Sequence, residues 1–256
     1  MIDSSKPFTT VLWDLDGTII DSRAGIFNSF NHTFAAMGLP LIGRDELNHF
    51  IGPPLLDSFI KICAGDLAQA ERARDIYRER YLQGGGALEA DVFPGILEVI
   101  SASKAAGKFN SLATSKGLSG VKIVGDHFDF LHLFDVLGTA SNDGTRSTKA
   151  DVITYALAEL EQLDADLSRV LLVGDRIHDI EGARQHGIEV VLVKWGSGDA
   201  SEWAQADAVA ETPADLARLL GVNLETGAEE NILAALVVGL GRSFVRRSGE
   251  PASIAA

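Results

Sequence analysis

Between residues 94 and 220, short apolar runs alternate with longer amphipathic stretches. A helical pattern at 96–106 halts at Gly107, and a strand at 108–113 leads into a helix at 118–128. A strand at 136–138 precedes a helix at 149–162, and a strand at 170–173 precedes a helix at 179–185. Residues 190–193 give another strand, and a last small unit joins 208–209 to a helix at 213–220. Strand and helix alternating at this pitch form right-handed βαβ units on a parallel sheet. Near the start, 9–15 reads as one more buried strand, short and apolar, ended by the polar turn Asp16-Gly17-Thr18. The expected fold is α/β: a Rossmann-like parallel sheet core with helices on both faces.

Between that first strand and the alternating part the pattern is helical throughout. From Ala24 onward Ile26, Phe27, Phe30 and Phe34 share one face, and Gly38 marks the stop. Further helices are expected at 44–51, 55–64 and 66–82, the last charged outside with Ala70, Ala73, Ile76, Tyr77 and Tyr81 inside. Gly84-Gly85-Gly86 then breaks the chain. A length of 256 residues is long for one domain and short for two, so a core with an insert is the natural division. Residues 1–18 and 88–222 are assigned to the core, 19–87 to an inserted all-helical cap and 223–256 to a C-terminal extension. The extension carries an apolar stretch at 232–240 followed by Arg242, Arg246 and Arg247, and is expected to dock on the core or on a second subunit. Monomer and homodimer both stay open.

A net charge of −14 argues against binding a nucleic acid polymer or an anionic membrane, since both call for a basic face. Cys63 is the only cysteine, so no intrachain disulfide is possible and a reducing compartment fits. The first residues lack a basic segment followed by an apolar one, and 232–240 is far shorter than the ~20 residues a membrane helix needs. A cytoplasmic protein without a signal peptide or transmembrane segment is expected.

In an open parallel sheet, ligands bind outside the carboxyl ends of the strands. The polar residues that follow the buried runs are therefore the candidates. Asp14, Asp16 and Thr18 end the first strand, and Thr114 and Ser115 follow the strand at 108–113. Gly174 and Asp175 follow 170–173, with Asp179 one helical turn further, and Lys149 opens the helix after the strand at 136. Four chain segments thus deliver carboxylates, hydroxyls and a lysine to one edge. Crowded carboxylates raise each other's pKa unless a cation sits among them. All-oxygen ligands favour a hard cation, and Mg²⁺ is the common choice at phosphate sites. A carboxylate nucleophile, a second carboxylate for acid/base work and a metal suffice for phosphoryl transfer.

These residues fall in four motifs that resemble those of the haloacid dehalogenase superfamily of phosphotransferases. They are VLWDLDGT at 11–18, LATS at 112–115, Lys149 within STKADVI, and LLVGDRIHD at 171–179 continuing into IEGA. The resemblance runs from about residue 9 to 220, and the insert after the first motif matches the family's helical cap. FIGPPL at 50–55, GDRIHDIEGA and VKWGSG resemble the phosphoglycolate phosphatase-like branch. Trp13 stands where phenylalanine is common, and Ala150 where many members have proline.

The resemblance implies a Mg²⁺-dependent phosphatase acting on a small-molecule phosphate ester. Asp14 would form an aspartyl phosphate, and Asp16 would protonate the leaving oxygen and then activate water. Gly17 would let backbone pass close to the phosphate. Thr114, with Ser115 beside it, and backbone N–H groups would hold the phosphoryl oxygens, while Lys149 offsets their charge. Mg²⁺ would bind Asp14, the backbone carbonyl of Asp16 and Asp175, with Asp179 supporting through water. His49, Phe50, Gly52 and Pro53, in a cap loop, are the expected specificity contacts.

Plainer readings exist for single residues. Asp175 or Asp179 alone could be a helix cap, and Thr114 and Ser115 could be turn residues. Lys149 is poorly placed against its helix dipole, a misfit that favours a functional role. Arg176 fits a surface ion pair as well as the site. His178 and His186 read as solvated helix residues, Cys63 as packing and Trp195 as a cover for the sheet edge. Competing activities are a 5′-nucleotidase-type or sugar-phosphate phosphatase and a phosphosugar mutase. A metal-free dehalogenase would leave the Asp175/Asp179 pair without a task, and a phosphoaccepting receiver-like domain would need neither cap nor Asp16.

Overall fold

The computed structural model describes residues 2, 6–43, 54–141 and 143–224. Strand β1 (Thr10–Trp13) is followed by the short β2 (Ile20–Asp21), then by helices α1 (Arg23–Met37), α2 (Leu55–Ile62) and α3 (Leu67–Leu82). β3 (Asp91–Val92) returns antiparallel to β2. The alternating part is α4 (Ile96–Ala105), β4 (Phe109–Gly117), α5 (Leu118–His127), β5 (Val136–Ala140), α6 (Lys149–Gln162), β6 (Val170–Gly174), α7 (Ile177–Arg184) and β7 (Glu189–Val193). A one-turn helix α8 (Ala200–Trp203), β8 (Ala208–Ala210) and α9 (Pro213–Leu220) complete it.

Six strands form one parallel sheet in the order β5-β4-β1-β6-β7-β8. The chain starts in the middle, extends to one side through β4 and β5, and then to the other through β6, β7 and β8. The order therefore reverses beside β1, which makes the carboxyl end of β1 the place where a crevice opens. All of β1 is buried, and its side chains alternate between two cores. Val11 and Trp13 join one apolar cluster, while Leu12 joins the other with Val152, Ile153 and Leu172.

Two differences from the expected strands matter for the site. β4 runs on to Gly117, and its pairing with β5 slips between Thr114 and Gly117. Such a bulge re-aims the side chains that follow it, and no hydrophobic pattern announces it. The two-stranded ribbon β2–β3 ties the insert to the sheet, and strands of two residues carry no readable period.

The helices between β2 and β3 meet in an aromatic cluster continuous with the apolar layer under Val11 and Trp13. Phe30 of α1 lies 5.9 Å from Phe34, 5.1 Å from Phe59 of α2 and 5.0 Å from Tyr77 of α3, measured between ring centroids. α1 ends where expected, at Gly38, whose φ of 68° closes the helix. Ala70, Ala73, Tyr77 and Tyr81 face inward as the pattern requires, whereas Ile76 is half-buried. Asp66 caps α3 by accepting from the Gln69 backbone N–H at 3.0 Å. Cys63 is half-buried against this cluster. The helix expected at 44–51 and the extension from residue 225 lie outside the described residues. No helix among the described residues is long and apolar enough to cross a membrane.

Phe30 is 1% exposed and touches aromatic rings on α1, α2 and α3. Phe30→Ala is expected to destabilise the protein by about 3–5 kcal/mol, the usual cost of emptying an aromatic core site. Urea unfolding of the variant measures it; a loss below ~1 kcal/mol would mean the cluster collapses around the gap.

Candidate active site

The carboxyl ends of β1, β4 and β6 and the start of α6 open into one cleft of about 330 Å³, with α1 and α3 forming its far wall. Asp14 directly follows β1, its backbone N–H donating to the Val173 carbonyl at 2.9 Å. Its carboxylate is buried, with Oδ1 2.5 Å from Lys149 Nζ. Lys149 is placed by a capping box in which Thr148 and Asp151 satisfy each other's backbone N–H groups. Its ammonium also lies 2.7 Å from Asp179 Oδ1 and donates to the Ala113 carbonyl at 2.8 Å. Two of its hydrogens go to Asp14 and the Ala113 carbonyl, and the contact with Asp179 is an ion pair. Burial opposes its charge, but Asp14 and Asp179 outweigh that and hold the lysine firmly protonated.

Asp179 also does the plainer job, since its Oδ2 accepts from the backbone N–H groups of Asp175 (3.1 Å) and Arg176 (3.0 Å) at the start of α7. Asp175 is 1% exposed, and its Oδ2 accepts from the Ser197 N–H at 2.7 Å. Glycines make room for it. A Cβ on Gly17, at φ 89°, would lie 2.1 Å from Asp175 Oδ2, and one on Gly196 would lie 2.4 Å from Asp175 Cβ. Gly17 thus yields its space to a carboxylate as well as to the turn.

Asp14, Asp175 and Asp179 bring carboxylate oxygens within 4.8 Å of one another, all buried. Among the described residues Lys149 is the lysine that faces them, and Arg176 offsets Asp175 weakly. Burial, partly offset by Lys149, pushes Asp14 up to about 7, and burial followed by its two acidic neighbours raises Asp175 well above the carboxylate range. The protein's own charges therefore leave this cluster short of positive charge. An all-oxygen donor set short of a positive charge fits a divalent hard cation such as Mg²⁺.

Asp16 is not part of that cluster through its carboxylate. Its Oδ2 pairs with Lys116 Nζ at 2.9 Å, while Oδ1 is buried without a hydrogen-bond partner among the described residues. Lys116 in turn donates to Tyr81 Oη at 2.6 Å, linking the core to α3. Sequence reasoning does not single out Lys116. It stands two residues past Thr114 on the same strand end, so the rule that selects Thr114 would reach it if the strand were known to run that far. Thr114 is buried and lines the cleft, its Oγ1 accepting from the Lys116 N–H at 3.1 Å, and half-buried Ser115 lines it too.

Arg176 pairs with Glu202 at 3.1 Å, where both are largely covered. Trp195 does more than cover an edge, because its Nε1 donates to the Thr18 carbonyl at 3.0 Å and fastens the 195–198 loop to the turn after β1. His178 lies 3.6 Å from Glu181, and His186 faces the Ala150 carbonyl at 3.1 Å. Contrary to the outward charge expected of α3, Arg74 and Arg78 line the cleft. His49, Phe50, Gly52 and Pro53 lie outside the described residues.

A family model described as haloacid dehalogenase-like hydrolase matches residues 11–193. The chain is 38% identical over 190 residues to tyrosine-protein kinase PtkA of Mycobacterium tuberculosis, covering 74% of this chain and 63% of that one. It therefore spans less than two thirds of that relative's length. It is 36% identical over 202 residues to a 5′-nucleotidase of Pseudomonas aeruginosa, covering 79% and 90% of the two chains. A phosphoglycolate phosphatase of Agrobacterium fabrum is 28% identical over 204 residues, covering 77% and 85%, so the branch suggested by FIGPPL is among the relatives. The crystal structure of a predicted phosphatase from Clostridium acetobutylicum shares the fold with a TM-score of 0.76 at 32% identity, over 83% of this chain and 98% of that one.

Gly17 allows a test of the packing around Asp175. Gly17→Ala forces both a positive φ on a side chain and a clash with a buried carboxylate. A stability loss of about 1–3 kcal/mol is expected in denaturant titration. An unchanged midpoint would show that the turn and Asp175 can both give way.

Proposed function

The chain belongs to the haloacid dehalogenase-like hydrolases, and from that membership we propose that it is a Mg²⁺-dependent phosphatase hydrolysing a small-molecule phosphomonoester through an aspartyl-phosphate intermediate. One observation carries the reading. Asp14 and Asp16 lie two residues apart yet are held by different lysines in different surroundings, Lys149 and Lys116. Two carboxylates with separate partners can do separate work.

In the proposed first step an Asp14 oxygen forms a bond to phosphorus as the bond to the ester oxygen breaks. Asp16, protonated from solvent, gives its proton to that leaving oxygen through Oδ1, which lacks a hydrogen-bond partner among the described residues. In the second step the Asp16 carboxylate, now ionised beside Lys116, takes a proton from water. The water oxygen bonds to phosphorus, the bond to Asp14 breaks, and inorganic phosphate departs. Thr114, Ser115 and backbone N–H groups bind the phosphoryl oxygens, and Lys149 keeps Asp14 in place and offsets their charge. Gly17 leaves the backbone room beside them. Asp14, Asp175 and the backbone carbonyl of Asp16 would hold the Mg²⁺ ion, supported by Asp179. When bound, the ion supplies the positive charge that lets a dianion approach buried carboxylates.

In this reading residues 1–18 and 88–222 are the catalytic core and 19–87 a cap that excludes water and sets specificity, with His49, Phe50, Gly52 and Pro53 as further contacts. We place the enzyme in the cytoplasm, in keeping with its single cysteine. Phosphoglycolate-like esters are the first candidates. The identity to a 5′-nucleotidase and the rings of Phe30 and Tyr77 on the cleft wall favour nucleotides as a second reading.

Phosphate release from a panel of esters tests the activity. Asp14→Asn, which keeps the shape of the site, should lower kcat by at least ~10³-fold; turnover near the wild-type rate would overturn the assigned nucleophile. Excess chelator should abolish phosphate release and Mg²⁺ should restore it, while Asp175→Ala raises the Mg²⁺ concentration needed or removes activity. Full activity in chelator would instead point to metal-free chemistry.

A further inference from the structure

Helix α3 turns a mixed face to the cleft. Arg74, Tyr77, Arg78 and Tyr81 fall at i, i+3, i+4 and i+7, so they share one side of the helix. All four line the cleft. The tyrosines stack with ring centroids 5.6 Å apart and planes 11° from parallel, and Tyr81 touches Lys116, the partner of Asp16. Most of the arginines and lysines around the cleft are already committed. Lys149 serves Asp14 and Asp179, Lys116 serves Asp16, Arg176 serves Glu202, and Arg74 lies 2.9 Å from Asp75. Arg78 makes no hydrogen bond or ion pair among the described residues. Burial first, and then the like charge of Arg74, pull its pKa below the usual arginine range. Asp75 raises it again, but that carboxylate is paired with Arg74, so a half-buried guanidinium beside another one is relieved when a ligand brings an anion.

We propose that Arg78 is a specificity residue receiving a second anionic group, a carboxylate or a second phosphoryl group, on the part of the substrate that leaves. The inference rests on the phosphatase reading and narrows its substrate class. Tyr81 marks the neighbourhood of Asp16, where the leaving oxygen is protonated, and Arg78 stands three residues back, about 4.5 Å along the helix axis. The acidic group therefore belongs a short carbon chain away from the ester oxygen. The planar fork of a guanidinium matches either anion with two hydrogen bonds. A neutral leaving group, such as a nucleoside, leaves Arg78 unanswered.

The test is direct binding to the full chain by calorimetry at fixed free Mg²⁺, with three phosphonates whose P–C bond resists hydrolysis. Propylphosphonate, 3-phosphonopropionate and ethane-1,2-bisphosphonate have matched backbones and end in a methyl, a carboxylate and a phosphonate. Wild type should bind at least one of the two doubly anionic ligands at least about tenfold more tightly than propylphosphonate. The ligand that gains tells carboxylate from phosphoryl. Arg78→Gln should erase the advantage while leaving propylphosphonate within about twofold, and Arg78→Lys should restore part of it. No preference in wild type, or equal weakening of all three ligands in Arg78→Gln, would sink the inference. Because binding needs no turnover, its failure is distinct from failure of the phosphatase reading, which is decided by phosphate release from esters.

Discussion

The buried ammonium of Lys149 reaches three chain segments at once: Asp14 after β1, the Ala113 carbonyl on β4 and Asp179 on α7. Without it two carboxylates would sit unpaired in the interior, a costly arrangement that proteins avoid by protonation or by rearrangement. With it, the ends of β1 and β4 and the start of α7 are pinned to one geometry, but the charge is still not balanced. Among the described residues, three carboxylates face Lys149 and, at Asp175, a weaker influence of Arg176, which leaves them short of positive charge. A chain of net charge −14 can handle anions only where such local compensation is arranged, and Arg74, Arg78, Lys116, Lys149 and Arg176 line this cleft.

The sheet and its edge were readable because buried strands and the helices after them leave strong hydrophobic signals. The predicted helices at 149–162 and 213–220 coincide with α6 and α9, and Asp14, Thr114, Lys149, Asp175 and Asp179 meet where the strand ends led them to be expected. What escaped depends on tertiary contacts. Lys116 is aimed by a bulge in β4, which is a property of pairing with β5 rather than of the strand's own residues. Arg74 and Arg78 look like solvent-facing charges on an amphipathic helix until the core closes off that side. Ser197 and Trp195 act through a backbone N–H and an indole N–H on a loop whose path no periodicity defines.

Asp14 and Asp16 show how environment separates like residues. One is sunk among acids and a lysine; the other faces the insert through Lys116 and Tyr81. The contact from Asp16 through Lys116 to Tyr81 makes the acid/base end of the cleft a joint property of core and insert. The helical wall is thus electrically connected to the chemistry proposed for the sheet edge, and a change in α3 is felt there without any contact to phosphorus.

The ribbon of β2 and β3 has a topological consequence. Ile20 pairs with Val92 and Asp21 with Asp91, so the chain leaves the core and re-enters it at adjacent points. The ends of the inserted segment meet, and it can close on its aromatic cluster without asking the sheet to bridge a gap. Length change on the far side of the segment then asks little of the six strands, provided Ile20 still finds Val92 and Tyr81 still reaches Lys116. At its base the ribbon is the stem of a long hairpin whose head reaches back to β4 through Tyr81.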